Sequence, residues 1–126
     1  MLMVKTKIGP SSINGIGLFA DQFIPKGTVV WKFMPNFDLL MSEQETNELS
    51  KPAMGQFYHY AYLDKKHGRY MLCFDDARFF NHTKNPNCDE KIDDITIAAR
   101  IIQVGEELTV NYKDFYGDID KHKEIN

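Results

Sequence analysis

Three short segments hold side chains that could do chemistry together. The first is Gly15-Ile16-Gly17-Leu18-Phe19, where glycines let a backbone approach a ligand closely and present its amides and carbonyls. The second is Arg78-Phe79-Phe80-Asn81-His82-Thr83-Lys84-Asn85-Pro86-Asn87-Cys88. Pro86 fixes its own φ and pushes Asn85 out of the helical region, so Asn81-His82 stands where an ordered turn begins. The Asn81 amide carries donors and an acceptor, and the ring and main chain of His82 add more. Such a set can read the edge of a flat polar ligand such as a purine. The third is Gly105-Glu106-Glu107-Leu108-Thr109-Val110-Asn111-Tyr112. It ends on a phenol that, in a confined pocket, can orient or deprotonate a nucleophile.

The elements that must position these groups read as mostly strands. Met3 to Ile8 alternates apolar and polar residues and stops at Gly9-Pro10. The turn Ile24-Pro25-Lys26-Gly27 leads into a β-branched and aromatic strand over Thr28 to Phe33, broken at Pro35-Asn36. Ser42-Glu43-Gln44-Glu45 is a capping box, which predicts a helix from about Glu43 to Ser50 that Pro52 prevents from continuing. Phe57 to Leu63 and Arg69 to Phe74, separated by Asp64-Lys65-Lys66-His67-Gly68, read as a β-hairpin. Asp89 to Asp94 is mostly charged. Ile95 to Ala99, Ile101-Ile102 and Leu108 to Tyr112 are strand-like, and Lys113 to Asn126 is a polar tail. The expectation is a mainly β fold with one or two short helices.

At 126 residues the chain is one domain, with a core of about residues 5–116 and a tail over 117–126. A hydrophobic content of 43% argues against disorder. The net charge of −3 argues against general nucleic-acid binding, which wants a basic face, and is compatible with a basic peptide partner. Asp75, Asp76, Asp89, Glu90, Asp93 and Asp94 could attract such a peptide, or form a solvated rim. Cys73 and Cys88, the only cysteines, form no Cys-x-x-Cys pair and read as reduced thiols of an intracellular, cytoplasmic or nuclear protein. His59 and His67 have no ligand spacing, so no metal is expected. No stretch reads as a signal peptide or a membrane span.

Each segment alone also has an ordinary reading as a turn, an Asn-rich loop or a solvated corner. Together, in this order, they resemble the SET-domain family of protein-lysine methyltransferases. The resemblance is carried by Gly15-x-Gly17-Leu18-Phe19, then Arg78-Phe79-x-Asn81-His82-Thr83-x-x-Pro86-Asn87-Cys88, then Gly105-Glu106-Glu107-Leu108-Thr109-x-x-Tyr112. It implies a β-clip fold of several small sheets with short helices, and a C-terminal segment threaded under a loop as a pseudoknot. It implies S-adenosylmethionine as methyl donor, S-adenosylhomocysteine as product, no metal, and a basic lysine-containing protein or peptide, a histone among the candidates, as substrate. Carried over by position, the backbone around Ile16 and Gly17 would hold the methionine part. Asn81 and the main chain of His82 would hold the adenine and amino-acid portions, with Arg78 and Phe79 bracing them. Phe19 and Phe115 would belong to the same site, and Tyr112 would be catalytic while also meeting the cofactor. Tyr58, Tyr60, Tyr62, Val110 and Tyr116 are candidates for the substrate channel.

The chain departs from the family pattern at Lys84, where many relatives have a cysteine, and no cysteine follows Cys88. Both departures imply that the zinc-bound C-terminal cap is missing, so Phe115, Tyr116 or another chain, a second copy included, must close the site. Lys113 replaces a frequent glycine, and Val110 a frequent aromatic linked to how many methyls are added. The second reading is a non-catalytic SET-like module that retains cofactor or peptide binding.

Overall fold

The computed structural model describes residues 1–92 and 94–114. The chain folds into four small sheets. β1 (Thr6–Pro10) pairs antiparallel with β2 (Ile16–Ala20), in register from Thr6 opposite Ala20 to Pro10 opposite Ile16. Gly9-Pro10 therefore ends the ladder from inside it, rather than stopping it beforehand. This is tolerated because β1 is an edge strand, where proline's missing N–H costs no ladder bond. β3 (Val29–Lys32) follows the Gly27 turn, where a φ of 86° calls for glycine.

β4 (Leu39–Met41) leads into a one-turn helix, α1 (Glu43–Thr46). Its capping box is formed as expected: Glu45 N donates to Ser42 Oγ at 3.1 Å, and Ser42 N donates to Glu45 Oε1 at 2.9 Å. The helix is shorter than the sequence suggests, and Pro52 does not end it. Pro52 instead lies in the first turn of a second helix, α2 (Lys51–Tyr60), capped by Ser50. Proline is at ease there, since first-turn amides have no intrahelical partner. The expected strand over Phe57 to Leu63 is thus wrong for most of its length. Met54, Phe57, Tyr58 and Ala61 recur at helical spacing and pack together with Tyr70. Phe57, Tyr58 and Tyr70 meet edge-to-face, with ring centroids 5.1–6.3 Å apart. Only β5 (Tyr62–Asp64) and β6 (Arg69–Leu72) remain of the hairpin, and β4 completes that sheet in the order β4-β6-β5.

A short 3₁₀ turn over Asp76–Phe79 precedes β7 (Asn81–His82). The charged stretch that offered no sequence signal forms β8 (Cys88–Ile92), which pairs with β9 (Ile95–Ala98) in the order β3-β9-β8. As an edge strand, β8 can carry charge along its exposed side. β10 (Thr109–Val110) lies parallel to β7.

The C-terminal segment of the described chain is enclosed on both sides. Beyond the β7 ladder, Asn87 grips it: Asn87 Nδ2 donates to Glu107 O at 2.8 Å, Thr109 N to Asn87 Oδ1 at 2.9 Å, and Asn87 N to Thr109 Oγ1 at 3.1 Å. Leu108 is fully buried with Leu18, Ala20, Ile24, Val30, Cys88, Ala98, Ile102 and Val110 in the main core. The fold class is the one expected, mainly β with several small sheets and short helices. Among the described residues, no helix is long and apolar enough to cross a membrane.

Gly55 sits in the middle of α2, exposed, and an added Cβ there would meet nothing within 4 Å. Gly55→Ala is expected to stabilise the chain by about 0.5–1 kcal/mol and to raise Tm by several degrees in a thermal melt. A loss of stability would mean that this stretch is not helical.

Candidate functional site

The three segments singled out in the sequence meet at the side chain of Asn81. Its Nδ2 donates to Asn14 O at 3.1 Å, Ile16 O at 3.3 Å and Glu107 Oε2 at 2.9 Å. The Glu107 carboxylate also accepts Ser11 Oγ at 2.8 and 2.9 Å. Main-chain bonds run alongside: Leu108 N donates to Leu18 O at 2.7 Å, and Ala20 N to Glu106 O at 2.9 Å. Asn81 and Glu107 thus tie the 14–16 loop to β7 and to the approach to β10.

The two glycines of the loop do different work. Gly15 has a φ of 49° and open space where a Cβ would stand, so a ligand can lie against the backbone there. At Gly17 the close neighbour is the protein itself. A Cβ would collide with the Glu107 carboxylate, whose Cδ would be 2.9 Å away, and with Ser11 Cβ at 3.0 Å.

Tyr112 stands at the far end of the same junction. Its backbone N–H donates to His82 Nδ1 at 3.0 Å, which assigns the ring proton of a neutral His82 to Nε2. The two rings lie 5.0 Å apart. The Tyr112 hydroxyl donates to Phe80 O at 3.1 Å. It borders a cleft enclosing about 530 Å³ of atom-free space, open solvent at its mouth included, lined by aromatics (Trp31, Tyr60, Tyr62, Phe80), by Val110, and by Arg78 and Glu90. Trp31 Nε1 is buried in that wall without a hydrogen-bond partner among the described residues.

The structure sorts the expected site residues into three groups. Ile16, Gly17, Asn81, His82 and Tyr112 come together at the junction, and Phe19 adjoins it through a bridge to Glu107. Tyr60, Tyr62 and Val110 line the cleft with Tyr112. Arg78 and Phe79 turn towards Tyr60: the guanidinium lies 5.5 Å from its ring centroid, and the Phe79 ring meets it edge-on at 5.7 Å. Tyr58 is not brought to the cleft; it lies on the buried face of α2, its hydroxyl 2.6 Å from Thr46 Oγ1. Phe115 and Tyr116 lie outside the described residues. Sequence reading missed Trp31, Cys73 and Glu90 as cleft residues. Trp31 looked like any strand aromatic, and Glu90 was one acid in a charged run.

Beside the cleft lies an ion-pair network. Asp64, His67 and Asp94 gather their ligand atoms within 4.8 Å of one another. His67 Nε2 is 3.2 Å from Asp94 Oδ1, and Lys66 Nζ is 2.7 Å from Asp94 Oδ2. No local spacing announces this group, because Asp94 arrives from 27 residues away.

Both thiols are buried. Burial, reinforced by neighbouring Asp38, pushes Cys73 well above the usual thiol range. Burial, with Asp89 nearby, pushes Cys88 up to about 12.

Residues 15–113 match the family model for the SET domain. The chain is 33% identical over 120 residues to N-lysine methyltransferase KMT5A-A of Danio rerio, a match covering 80% of this chain and 33% of that protein. It is 33% identical over 124 residues to a histone-lysine N-methyltransferase, H3 lysine-36 specific, of Mycosarcoma maydis, covering 83% of this chain and 12% of that one. A chain of apo ctPRC2 matches with a TM-score of 0.67 and 25% identity over 91% of this chain and 16% of that one. The chain therefore spans a third or less of the length of these proteins.

Two outcomes check the geometry. Gly17→Ala displaces the Glu107 carboxylate from Asn81, and is expected to cost about 1–3 kcal/mol in urea unfolding; a neutral result would contradict the contact. At pH 8 an aromatic disulfide reagent is expected to leave both thiols intact in the native chain and to modify both in denaturant, since only a thiolate attacks. Because the folded thiol values are raised, their stabilising contribution is present below the ordinary thiol range and is lost as pH climbs past about 8.5–9.

Proposed function

The chain belongs to the SET-domain family, and on that premise we propose that it transfers a methyl group from S-adenosylmethionine to a lysine ε-amine of a protein substrate. The observation that carries the reading is the position of Tyr112. One residue is tied by its main-chain N–H to the His82 ring and also borders a cleft lined by aromatic side chains.

The residues present fit the cofactor. The 14–16 loop offers open backbone at Gly15, and Asn81 fixes two of its carbonyls from one side. This backbone would hold the amino-acid part, with the main chain of His82 against the adenine. When bound, S-adenosylmethionine supplies a methyl group activated by its sulfonium.

The protein's work is positioning and exclusion of water. Tyr60, Tyr62 and Trp31 wall the cleft with apolar surface and leave a lysine side chain few ways to lie. Burial there disfavours the charged amine, so the lysine gives up its proton more readily than in water. The Phe80 carbonyl and the Tyr112 hydroxyl are already hydrogen-bonded to each other at 3.1 Å. Either can take a hydrogen bond from the amine and hold its lone pair in line. Two of the relatives above are named for N-lysine or histone-lysine methylation, which supports a basic protein substrate such as a histone tail.

Isothermal titration with S-adenosylmethionine, followed by transfer of labelled methyl to basic peptides, tests the proposal. Tyr112→Phe is expected to retain cofactor binding and to lose transfer by about 10²–10⁴-fold. Asn81→Ala is expected to abolish cofactor binding and also to lower Tm, so its binding is measured at a temperature where circular dichroism shows the variant folded. Cofactor binding without transfer to any lysine substrate would instead indicate a binding module.

A further inference from the structure

The cleft carries a permanent positive charge that its partners orient but do not neutralise. Arg78 lies in the 3₁₀ turn over Asp76–Phe79 and lines the cleft together with Tyr60, Tyr62 and Tyr112. Its guanidinium is held by carbonyls: Nη2 donates to Phe74 O at 2.7 Å, and Nε to Asp75 O at 3.4 Å. It also lies over the Tyr60 ring, 5.5 Å from the centroid. None of these contacts cancels its charge, which arginine keeps at every working pH. Among the described residues, the ion pairs are made by the N-terminal ammonium, Lys66 and His67, and no carboxylate pairs with Arg78. The nearby Asp75 carboxylate accepts instead from Leu2 N at 2.7 Å and Ala77 N at 3.1 Å.

Resting on the lysine-methylation reading above, we infer that Arg78 drives the incoming lysine to shed its proton inside the cleft. An ammonium that enters meets a like charge on the same wall, and a nearby cation disfavours the charged form of an amine. The repulsion acts more strongly across aromatic side chains than across bulk water. The proton passes to water at the open mouth of the cleft, and the neutral amine left behind has the lone pair that attacks. Arg78 therefore weakens binding of the charged lysine and favours the chemical step. Its signature is a dependence on pH. Glu90 faces the cleft from β8, and Asp75 and Asp76 flank Arg78 on its own turn; all three act in the opposite sense. The other titratable groups of the lining are the Cys73 thiol and the phenols of Tyr60, Tyr62 and Tyr112. All of these are common to the wild type and to an Arg78 variant, so the comparison isolates the one cation.

The experiment follows kcat of the full chain, at saturating peptide and S-adenosylmethionine, from about pH 6 to about pH 10, because kcat reports the groups of the bound complex. In the wild type kcat rises with pH as the bound lysine loses its proton. In Arg78→Gln the midpoint of that rise is expected to move up by about half a unit or more. The variant then loses about threefold in kcat at neutral pH and recovers the wild-type value on the alkaline side. Arg78→Lys, which keeps a charge, is expected to follow the wild type, and Arg78→Met serves if the amide variant melts early. An unmoved midpoint, or a loss equal at every pH, overturns the role. So does a change confined to KM for S-adenosylmethionine, which would make Arg78 a brace for the cofactor alone. A second readout needs no turnover. Trp31 is the chain's only tryptophan and lines the cleft, so its fluorescence reports on occupancy. At neutral pH n-butylammonium is expected to bind Arg78→Gln about threefold more tightly than the wild type or Arg78→Lys, with n-butanol equal in all three. Equal n-butylammonium affinity in the folded wild type and Arg78→Gln overturns the role. Tighter n-butylammonium binding by Arg78→Gln without methyl transfer by the wild type leaves the repulsion standing and overturns the methyltransferase reading; transfer with an unmoved midpoint does the reverse.

Discussion

The structure depends on one polar contact, the Asn81 amide against the Glu107 carboxylate and the carbonyls of Asn14 and Ile16. It joins parts of the chain that are 65 and 67 residues apart on one side and 26 on the other. A hydrogen bond to an ionised group is among the stronger ones, and here it is half-shielded from water. Losing it would leave a buried amide without partners and the carboxylate with the Ser11 hydroxyl alone, which costs more than the bond itself contributes. Gly17 exists in this setting: any side chain there would push the carboxylate away. The parallel pairing of β7 with β10 and the grip of Asn87 on Thr109 then set the register that delivers Tyr112 to His82.

From that junction the molecule divides into two environments. On one side is exposed backbone at Asn14–Ile16, suited to a polar, extended ligand. On the other is a cleft of rings with Arg78 and Glu90 in its lining. Tyr112 belongs to both, because its main chain is bonded to His82 while its hydroxyl reaches Phe80 O. The small sheets provide this separation at little cost in length. None is wide enough to build a site alone, and the site forms where their ends meet.

The site was more legible in the sequence than the scaffold around it. Asn81, His82, Glu107 and Tyr112 sit in short motifs whose residue types are unusual together, so their order was informative without any contact being known. Helix α2 was misread for a physical reason. Phe57, Tyr58 and Tyr60 favour strands by propensity, and Pro52 looked like a terminator, yet tertiary packing of Phe57 and Tyr58 onto Tyr70 overrode the propensity. The Met54-Phe57-Tyr58-Ala61 spacing was present to be read, and Ser50 before Pro52 marked a helix start. β8 was missed because an edge strand can be charged, and nothing in Cys88 to Ile92 alternates cleanly. The His67–Asp94 pair had no local signature, since it depends on two turns that only the sheet pairing brings together.

This arrangement makes stability and function inseparable at most of the site, but not at all of it. Asn81, Gly17 and Glu107 hold the fold together and shape the loop in the same act, so any change there mixes unfolding with loss of binding. Tyr112 is different. Its ring packs against the main core and its N–H anchors it to His82, whichever group the ring carries at its end. The hydroxyl is a single oxygen hydrogen-bonded to the Phe80 carbonyl, and both residues line the cleft. The hydroxyl can therefore be removed with the scaffold left standing. The oxygen that stands at the cleft is thus one the fold can spare.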